Sequence, residues 1–268
     1  MPAIDELEAR RNADGGFGPV LGAASEAEPT AMAALVRGDH IAVTWLEDAQ
    51  GPDGSIGVQA GPVFRDVTPL ACLAIRSPDA VARALAWVRG SLARSEESSQ
   101  ALPHTPGLRG WAWTSNTFGW VEPTAWAVLC LRAAGDDGGS LADGIAMLAD
   151  RECVGGGWNY GNRIVLDEPL PPFVQTSALA LIALRGLEEP MVTRSLAWLR
   201  RRWSQEAQGL LSAATAAVAF RVFELVEASE ASHRVARLLD TGPDPDTVSL
   251  VWARLALGDD LAALEVAP

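Results

Sequence analysis

Two kinds of apolar pattern alternate along the chain and predict two kinds of helix. The first kind is almost wholly apolar, which is typical of a helix buried on all sides. The second kind is amphipathic, with arginine and acidic residues on one face, and glycine and proline separate the segments. The predicted buried helices are 30–36, 68–75, 124–131, 176–184, 213–225 and 247–257, and the predicted amphipathic helices are 39–49, 78–93, 141–151, 190–205, 229–239 and 259–266.

A repeated sequence unit leads into the buried helices. It consists of a glycine-rich turn, a short acidic or proline-bearing step, a threonine and the apolar helix, and its clearest copies begin near residues 14, 53, 110 and 155. A repeat of this length indicates one supersecondary unit stacked several times. We therefore predict an all-α fold, a single (α/α)6 toroid or barrel of about twelve alternating inner and outer helices. Residues 1–268 would form one domain of five to six degenerate helix pairs, although an open solenoid has the same local pattern.

Composition excludes several functions. A net charge of -13 argues against nucleic acid, which requires a basic surface, and disfavours an anionic membrane. All 21 basic residues are arginine, so the chain has neither a Schiff-base lysine nor the lysine of a phosphate-binding loop. No run of about 18 apolar residues is present, so we expect no transmembrane segment.

Cysteine usage and the first residues indicate the compartment. Cys72 and Cys130 lie in apolar helical segments, so we expect buried free thiols, which suit a reducing environment. Residues 1–6 do not have the charged and then apolar pattern of a signal peptide. We therefore expect a cytoplasmic protein.

The glycine-rich turns resemble a known repeat. The turn 50–56, Gln-Gly-Pro-Asp-Gly-Ser-Ile, resembles the Gln…Gly-x-Trp repeat of squalene-hopene and oxidosqualene cyclases, and segments 11–17 and 151–158 look like degenerate copies. The chain is thus similar to the prenyltransferase/squalene-oxidase repeat family. That family includes class II terpene cyclases and the β subunits of protein prenyltransferases, all built as α/α barrels. Full triterpene cyclases have two barrels, whereas this chain is long enough for one.

The resemblance implies a place for a catalytic acid. Class II cyclases protonate an alkene or epoxide with the central Asp of Asp-x-Asp-Asp-Thr-Ala, two residues before the threonine. No copy here has the complete motif. In the five copies that place holds Glu28, Asp66, Glu122, Val174 and Pro245. The candidate catalytic acids are therefore Glu122, Asp66, Glu28 and, next to the proline, Asp246.

The same acids also have a simpler interpretation. An acidic residue beside a proline suits the first turn of a helix and its dipole, so each acid could be only a capping residue. The two interpretations are compatible. Several carboxylates at one rim raise one another's pKa, and this keeps one of them protonated.

Aromatic residues are concentrated in the third and fourth copies of the unit. An aromatic face stabilises a passing carbocation by up to about 2 kcal/mol in a dry site, and an aromatic wall also binds a long apolar chain. Packing between repeats is the alternative. Polar residues beside glycines 155–157 join the set, because glycine allows a close approach of the backbone. The candidate substrate-binding residues are Phe64, Trp111, Trp113, Phe118, Trp120, Trp126, Trp158, Tyr160, Asn162, Arg163 and Phe173.

We expect no metal and no other cofactor. No cysteine has an aspartate two residues before it, which the zinc site of the prenyltransferase β subunits would require. Asp136-Asp137 and Asp259-Asp260 lack the third aspartate of a class I terpene synthase magnesium site.

The leading hypothesis is an isoprenoid cyclase-like protein with an apolar, aromatic-lined cavity. It would start a metal-free cyclisation or isomerisation of a polyprenyl substrate by proton transfer, with Glu122 or Asp66 as the acid. Two alternatives stay open: a non-catalytic barrel that binds a lipid, a partner protein or a second copy, and a glycan-active toroid with paired carboxylates and tryptophan platforms. The polarity and the filling of the centre distinguish these hypotheses.

Overall fold

Inner and outer helices alternate along the chain and form two concentric layers. The inner helices are α1 (Ala27–Leu35), α3 (Thr68–Ala74), α5 (Val121–Ala133), α7 (Val174–Leu184), α9 (Leu210–Val222) and α11 (Thr247–Leu257). The outer helices are α2 (His40–Asp48), α4 (Pro78–Gly90), α6 (Gly139–Arg151), α8 (Pro190–Glu206) and α10 (Glu227–Thr241). The computed structural model describes residues 6–36, 39–60, 63–93, 99, 101–105, 107–114, 117–258 and 261–264.

The six inner helices form a closed ring. Each one contacts the next inner helix along the chain, and α11 returns to contact α1. Two hydrogen bonds join the ends of this ring: the Thr247 amide donates to the Pro19 carbonyl at 2.8 Å, and the Thr247 hydroxyl donates to the Gly18 carbonyl at 2.6 Å. The all-α toroid that the sequence predicts is therefore confirmed, and the open solenoid is not what forms.

Burial follows the two predicted patterns. In α7 every residue from Thr176 to Leu184 is buried, which is the pattern of a helix covered on all sides. In α4 the buried residues are Ala80, Ala84 and Val88, which recur every four positions and so mark one face toward the ring.

Several inner helices begin earlier than their threonines predict. Helix α1 begins at Ala27 and α5 at Val121, three residues before Thr30 and Thr124. A proline follows as the third residue of each helix, where it is tolerated because first-turn amides have no partner within the helix. The predicted starts at residues 68 and 247 are confirmed. As a consequence, Glu28 and Glu122 lie inside the first helical turn.

Two short hairpins lie in segments that lead from an outer helix to the next inner helix along the chain, and the sequence pattern did not predict them. The first pairs β1 (Gly57–Ala60) with β2 (Val63–Asp66), and the second pairs β3 (Ile164–Val165) with β4 (Glu168–Pro169). Strands of two to four residues are too short for an alternating pattern to stand out. The second strand of this second hairpin lies in a segment with three prolines, 169, 171 and 172.

A polar residue at the start of each turn fastens the turn to the next outer helix. Each turn contains one buried aromatic or aliphatic residue. The side chain of the residue six positions before it forms a hydrogen bond or ion pair with the next outer helix or with the N-cap of that helix. These contacts are Arg11 with Asp39, Gln50 with the Ala80 carbonyl, the Thr105 hydroxyl with Asp150, and Glu152 with Arg194 and Ser195. The four unlike residues therefore serve one purpose in the repeat.

Three further expectations concern the chain as a whole. Cys72 and Cys130 are buried free thiols, as predicted, and so is Cys153. The predicted outer helix 259–266 lies partly outside the described residues, and Ala262–Leu264 forms a single 3-10 turn within it. Within the described part of the chain, no helix has both the length and the apolar character needed to span a membrane.

Candidate active site

A hydroxyl in each of four inner helices fixes the register of the repeat. The hydroxyl oxygen accepts the backbone N–H of the buried aromatic or aliphatic residue in the preceding turn, at 2.8–2.9 Å. The pairs are Thr30 with Phe17, Thr68 with Ile56, Thr124 with Trp111, and Ser177 with Trp158. In the fourth copy the serine therefore replaces the threonine that the sequence suggested, Thr176. The residue two positions earlier is then Gln175 and not Val174.

Glu122 is the candidate acid with the least compensated charge. It is the second residue of α5 and is half-buried, and no hydrogen bond or ion pair to its carboxyl exists within the described residues. Burial, assisted by the nearby charge of Glu28, raises the pKa of Glu122 to about 7, and Arg65 opposes this effect. A large fraction of this side chain is therefore protonated near neutral pH.

Glu28 occupies the same place in α1 and is held by an arginine. Its carboxylate forms an ion pair with Arg65, which extends from β2. Burial raises the pKa of Glu28, Arg65 lowers it, and the charges of Glu26 and Asp246 raise it further. Glu28, Glu122, Arg65 and Asp246 thus form one electrostatically coupled group at the N-terminal rim of the ring.

Asp66 and Asp246 have partners that fix them locally. The Asp66 carboxylate accepts hydrogen bonds from the Trp87 indole of α4 and from the Thr68 amide, both at 2.9 Å. Burial raises the pKa of Asp66, whereas these hydrogen bonds lower it. Asp246 is the N-cap of α11 and accepts the Ser249 amide at 2.8 Å.

Two tryptophans meet at the axis of the ring below Glu122. Trp126 lies four residues after Glu122 on α5, hence one turn deeper on the same face. Its ring is 6.0 Å from that of Trp252, on α11, measured between ring centroids. Because α5 and α11 are the third and sixth of six inner helices, this pair spans the centre.

Trp252 was missed by sequence reasoning, although a signal existed. Trp126 and Trp252 are each the sixth residue of an inner helix. Two tryptophans at the same depth of opposite repeats predict a contact across the axis, but this comparison requires the true helix starts.

Trp111 and Trp158 pack between the layers. Both side chains are fully buried, and their indole N–H groups donate to carbonyls of the preceding outer helix, Val88 at 2.8 Å and Leu148 at 2.7 Å. This position agrees with the alternative that Trp111 and Trp158 pack between repeats.

The other predicted aromatic residues are distributed over the rim. Phe64 contacts Trp87 edge-on, and Trp113 lies under the guanidinium of Arg65 at 5.4 Å from its ring centroid. Tyr160 and Phe173 contact each other at 5.1 Å and are exposed, as is Phe118. Trp120 is half-buried beside Gly161, where an added Cβ would approach its ring to 3.3 Å.

The polar cluster after Trp158 binds to a buried histidine. The amide oxygen of Asn162 lies 3.0 Å from Nε2 of His104, and Asn159 donates to the Asn162 carbonyl at 2.9 Å. Arg163 is half-buried, and its Nε has no hydrogen-bond partner among the residues that the structure describes. His104 was not among the predicted site residues, because an isolated histidine in a loop carries no distinctive pattern.

Metal-ligating side chains do not gather in the described part of the chain. No group of three or more His, Cys, Asp or Glu side chains there is placed to hold a metal ion. Among the described residues, the groups around Glu122 at the rim include carboxyls, the guanidinium of Arg65 and aromatic rings.

Comparison with known proteins supports the fold. No family model matches the chain, and no curated protein matches it either. Among solved structures, the apo type II terpene cyclase MstE from Scytonema is similar, with 14% sequence identity and a TM-score of 0.57 over 89% of this chain and 75% of that chain. At this identity the likeness shows the fold, which is terpene cyclase-like.

Proposed function

We propose that the protein is an isoprenoid cyclase-like enzyme in which Glu122 protonates a polyprenyl-type substrate and so starts its cyclisation or isomerisation. The observation that carries the proposal is the environment of Glu122: a carboxyl without a hydrogen-bond partner within the described residues, with a pKa raised to about 7, one helical turn above the Trp126–Trp252 pair. The terpene cyclase-like fold supports the same reading.

The proposed reaction begins with one proton transfer. The Glu122 carboxyl gives its proton to an alkene carbon or an epoxide oxygen of the substrate and becomes a carboxylate. The substrate becomes a carbocation. Attack by a neighbouring double bond forms a carbon–carbon bond and moves the positive charge to another carbon, and loss of a proton from the adjacent carbon to the Glu122 carboxylate or to water then forms the double bond of the product. A general acid works best when its pKa lies near the working pH, and a value of about 7 meets this condition.

The surrounding groups suit a cationic intermediate in an apolar chain. Aromatic faces attract a cation by about 0.5–2 kcal/mol, more strongly in a dry site. Trp126 and Trp252 are almost fully buried, so their rings are shielded from water. After proton transfer, the negative charge of the Glu122 carboxylate would lie one helical turn from the tryptophan pair. It would further stabilise the positive charge of the cation.

A non-catalytic binding barrel is the second candidate, and one observation favours it. The Trp126–Trp252 pair occupies the axis of the ring, which limits the depth to which a ligand can enter. A shallow site at the rim would bind an apolar group without enclosing a whole polyprenyl chain.

Turnover of polyprenyl substrates by matched variants tests the proposal. Purified wild type, Glu122→Gln and Glu26→Gln are incubated with linear polyprenyl alcohols, diphosphates and epoxides, and the products are analysed by gas chromatography and mass spectrometry. We expect product from the wild type and from Glu26→Gln, because Glu26 is not among the groups that act on Glu122, and none from Glu122→Gln. Product from Glu122→Gln would refute the assignment of the acid, and binding without turnover by the wild type would favour the non-catalytic barrel.

A further inference from the structure

The two glutamates at the rim come from different repeats but have the same position in them. Glu28 is the second residue of α1 and Glu122 is the second residue of α5. Both lie two residues before the hydroxyl that fastens the turn, so the repeat places their side chains at the same height. The inner helix between them is α3, which contacts both neighbours.

Arg65 stands between the two glutamates. It belongs to β2, which leads into α3, and its backbone forms a bridge with Thr114 of the loop before α5. Its guanidinium forms an ion pair with Glu28 and lies over the ring of Trp113. The hairpin, the ion pair and the tryptophan together fix the position of this one positive charge.

We propose that Glu28 and Arg65 are positioning residues for the acid: the charge of Glu28 disfavours a second charge on Glu122, and Arg65 limits this repulsion. In place of an Asp-x-Asp-Asp motif within one segment, the carboxyl pair would be assembled from the first and third repeats. This inference rests on the proposed role of Glu122 and adds how its proton is held.

The charges around the pair agree with this arrangement. Glu122 is influenced by Glu28 on α1 and by Arg65 on β2, and α7 on its other side has the uncharged Gln175 at the equivalent place. Glu28 is influenced by Arg65, by Glu26 at the N-cap of α1 and by Asp246 at the N-cap of α11. Like charges at close range raise the pKa of a carboxyl, and an opposite charge lowers it. The charge of Glu28 therefore adds to the effect of burial in raising the pKa of Glu122, and Arg65 reduces it.

A carboxyl titration by NMR tests the inference without any substrate. Protein with 13C-labelled glutamate carboxyls is titrated in the wild type, and the Glu122 signal is assigned from its absence in Glu122→Gln. In Glu28→Gln, we expect the Glu122 midpoint to fall by about one pH unit, because the repulsion is gone and Arg65 has lost its partner. In Arg65→Gln we expect the midpoint to rise, and in the double variant it should lie between those of the two single variants.

Glu26→Gln is the matched control. Glu26 acts on Glu28 but is not among the groups that act on Glu122, so this change should leave the Glu122 midpoint nearly where it is in the wild type. A Glu122 midpoint that stays constant in both Glu28→Gln and Arg65→Gln would overturn the inference, and so would a shift of equal size in Glu26→Gln. Because the readout needs no turnover, the inference and the proposed function can fail separately.

Discussion

The charge on Glu122 should appear in the pH dependence of folding stability. In the folded chain this group keeps its proton up to about pH 7, whereas the ordinary value of 4.5 applies once the chain unfolds. Between these two values the folded state binds more protons, so the stability contributed by Glu122 falls as the pH rises. Glu122→Gln removes this dependence.

Chemical denaturation at several pH values measures the effect. We expect wild type and Glu122→Gln to have similar free energies of unfolding near pH 4.5, and the variant to become more stable by roughly 2–3 kcal/mol near pH 8. A constant difference across this range would contradict the raised pKa. Asp66 also has a raised pKa, but its contribution is common to both proteins and cancels in the comparison.

Ser177 and Thr176 provide a second test at the level of single residues. The Ser177 hydroxyl binds the Trp158 amide and carbonyl, both buried, whereas the hydroxyl of Thr176 makes no such contact with the turn. Ser177→Ala should lower the free energy of unfolding by about 1–3 kcal/mol, because it leaves a buried amide unpaired. Thr176→Val should lower the free energy of unfolding by clearly less than Ser177→Ala does. Equal losses in urea denaturation would show that the repeat register is wrong.

Single residues also show how far sequence reasoning reaches at this scale. The position of Glu122 two residues before a threonine could be predicted, because the repeat is visible as a recurring motif in the amino-acid sequence. The roles of Ser177 and Trp252 could not, because a serine replaces the threonine in one copy and the depth of a tryptophan depends on where its helix begins. One contact that distinguishes Asp66 from Glu122 is the hydrogen bond that the Trp87 indole donates to Asp66. It joins residues 21 positions apart, so a local sequence pattern does not predict it.

At the level of elements, the hairpin β3–β4 is strained at its tip. Leu166 and Asp167 form its two-residue turn, and both have left-handed φ angles of 52° and 64°. Such turns favour Asn followed by Gly. The double substitution Leu166→Asn with Asp167→Gly should stabilise the hairpin by about 1 kcal/mol. We expect this gain to be measurable as slower hydrogen exchange of the amides in its two strands.

The Leu166 amide should be followed in the same experiment. It donates to the Ala101 carbonyl at 3.0 Å and so ties the hairpin to the neighbouring loop. Faster exchange of the hairpin amides in the double variant would mean that the leucine side chain holds the turn through contacts of its own.

Helices and hairpins differ in how well the sequence predicts them. Within the described residues, helices α1–α11 correspond to long segments with a clear apolar period, and only their ends shifted, because a proline fits the first turn as well as it fits a boundary. The hairpins are short and their pairing is stabilised by neighbouring loops, such as the contact of β2 with Thr114. Local pattern carries no information on those partners.

At the scale of the whole molecule, ring closure should make folding cooperative. Helix α11 contacts α1, its residue Thr247 bonds to the first turn, and Trp252 covers Trp126. Removing residues 246–268 should therefore destabilise distant repeats as well as the last one, which an open solenoid with only nearest-neighbour contacts would not do.

Thermal unfolding followed by circular dichroism measures this cooperativity. We expect one sharp helical transition for the full chain and a broad transition at lower temperature for the truncated one. A truncated chain that melts as sharply, with only its share of helix lost, would contradict a closed ring.

Incorporation of solvent deuterium is the most direct test of the central claim, that Glu122 starts the reaction by giving up a proton. In D2O the carboxyl exchanges its proton for deuterium, so transfer to the substrate marks the product. With a turned-over polyprenyl substrate, we predict one additional deuterium in the wild-type product by mass spectrometry, and no product from Glu122→Gln. A wild-type product without deuterium would contradict the account, because the reaction would then have begun without proton transfer from the enzyme.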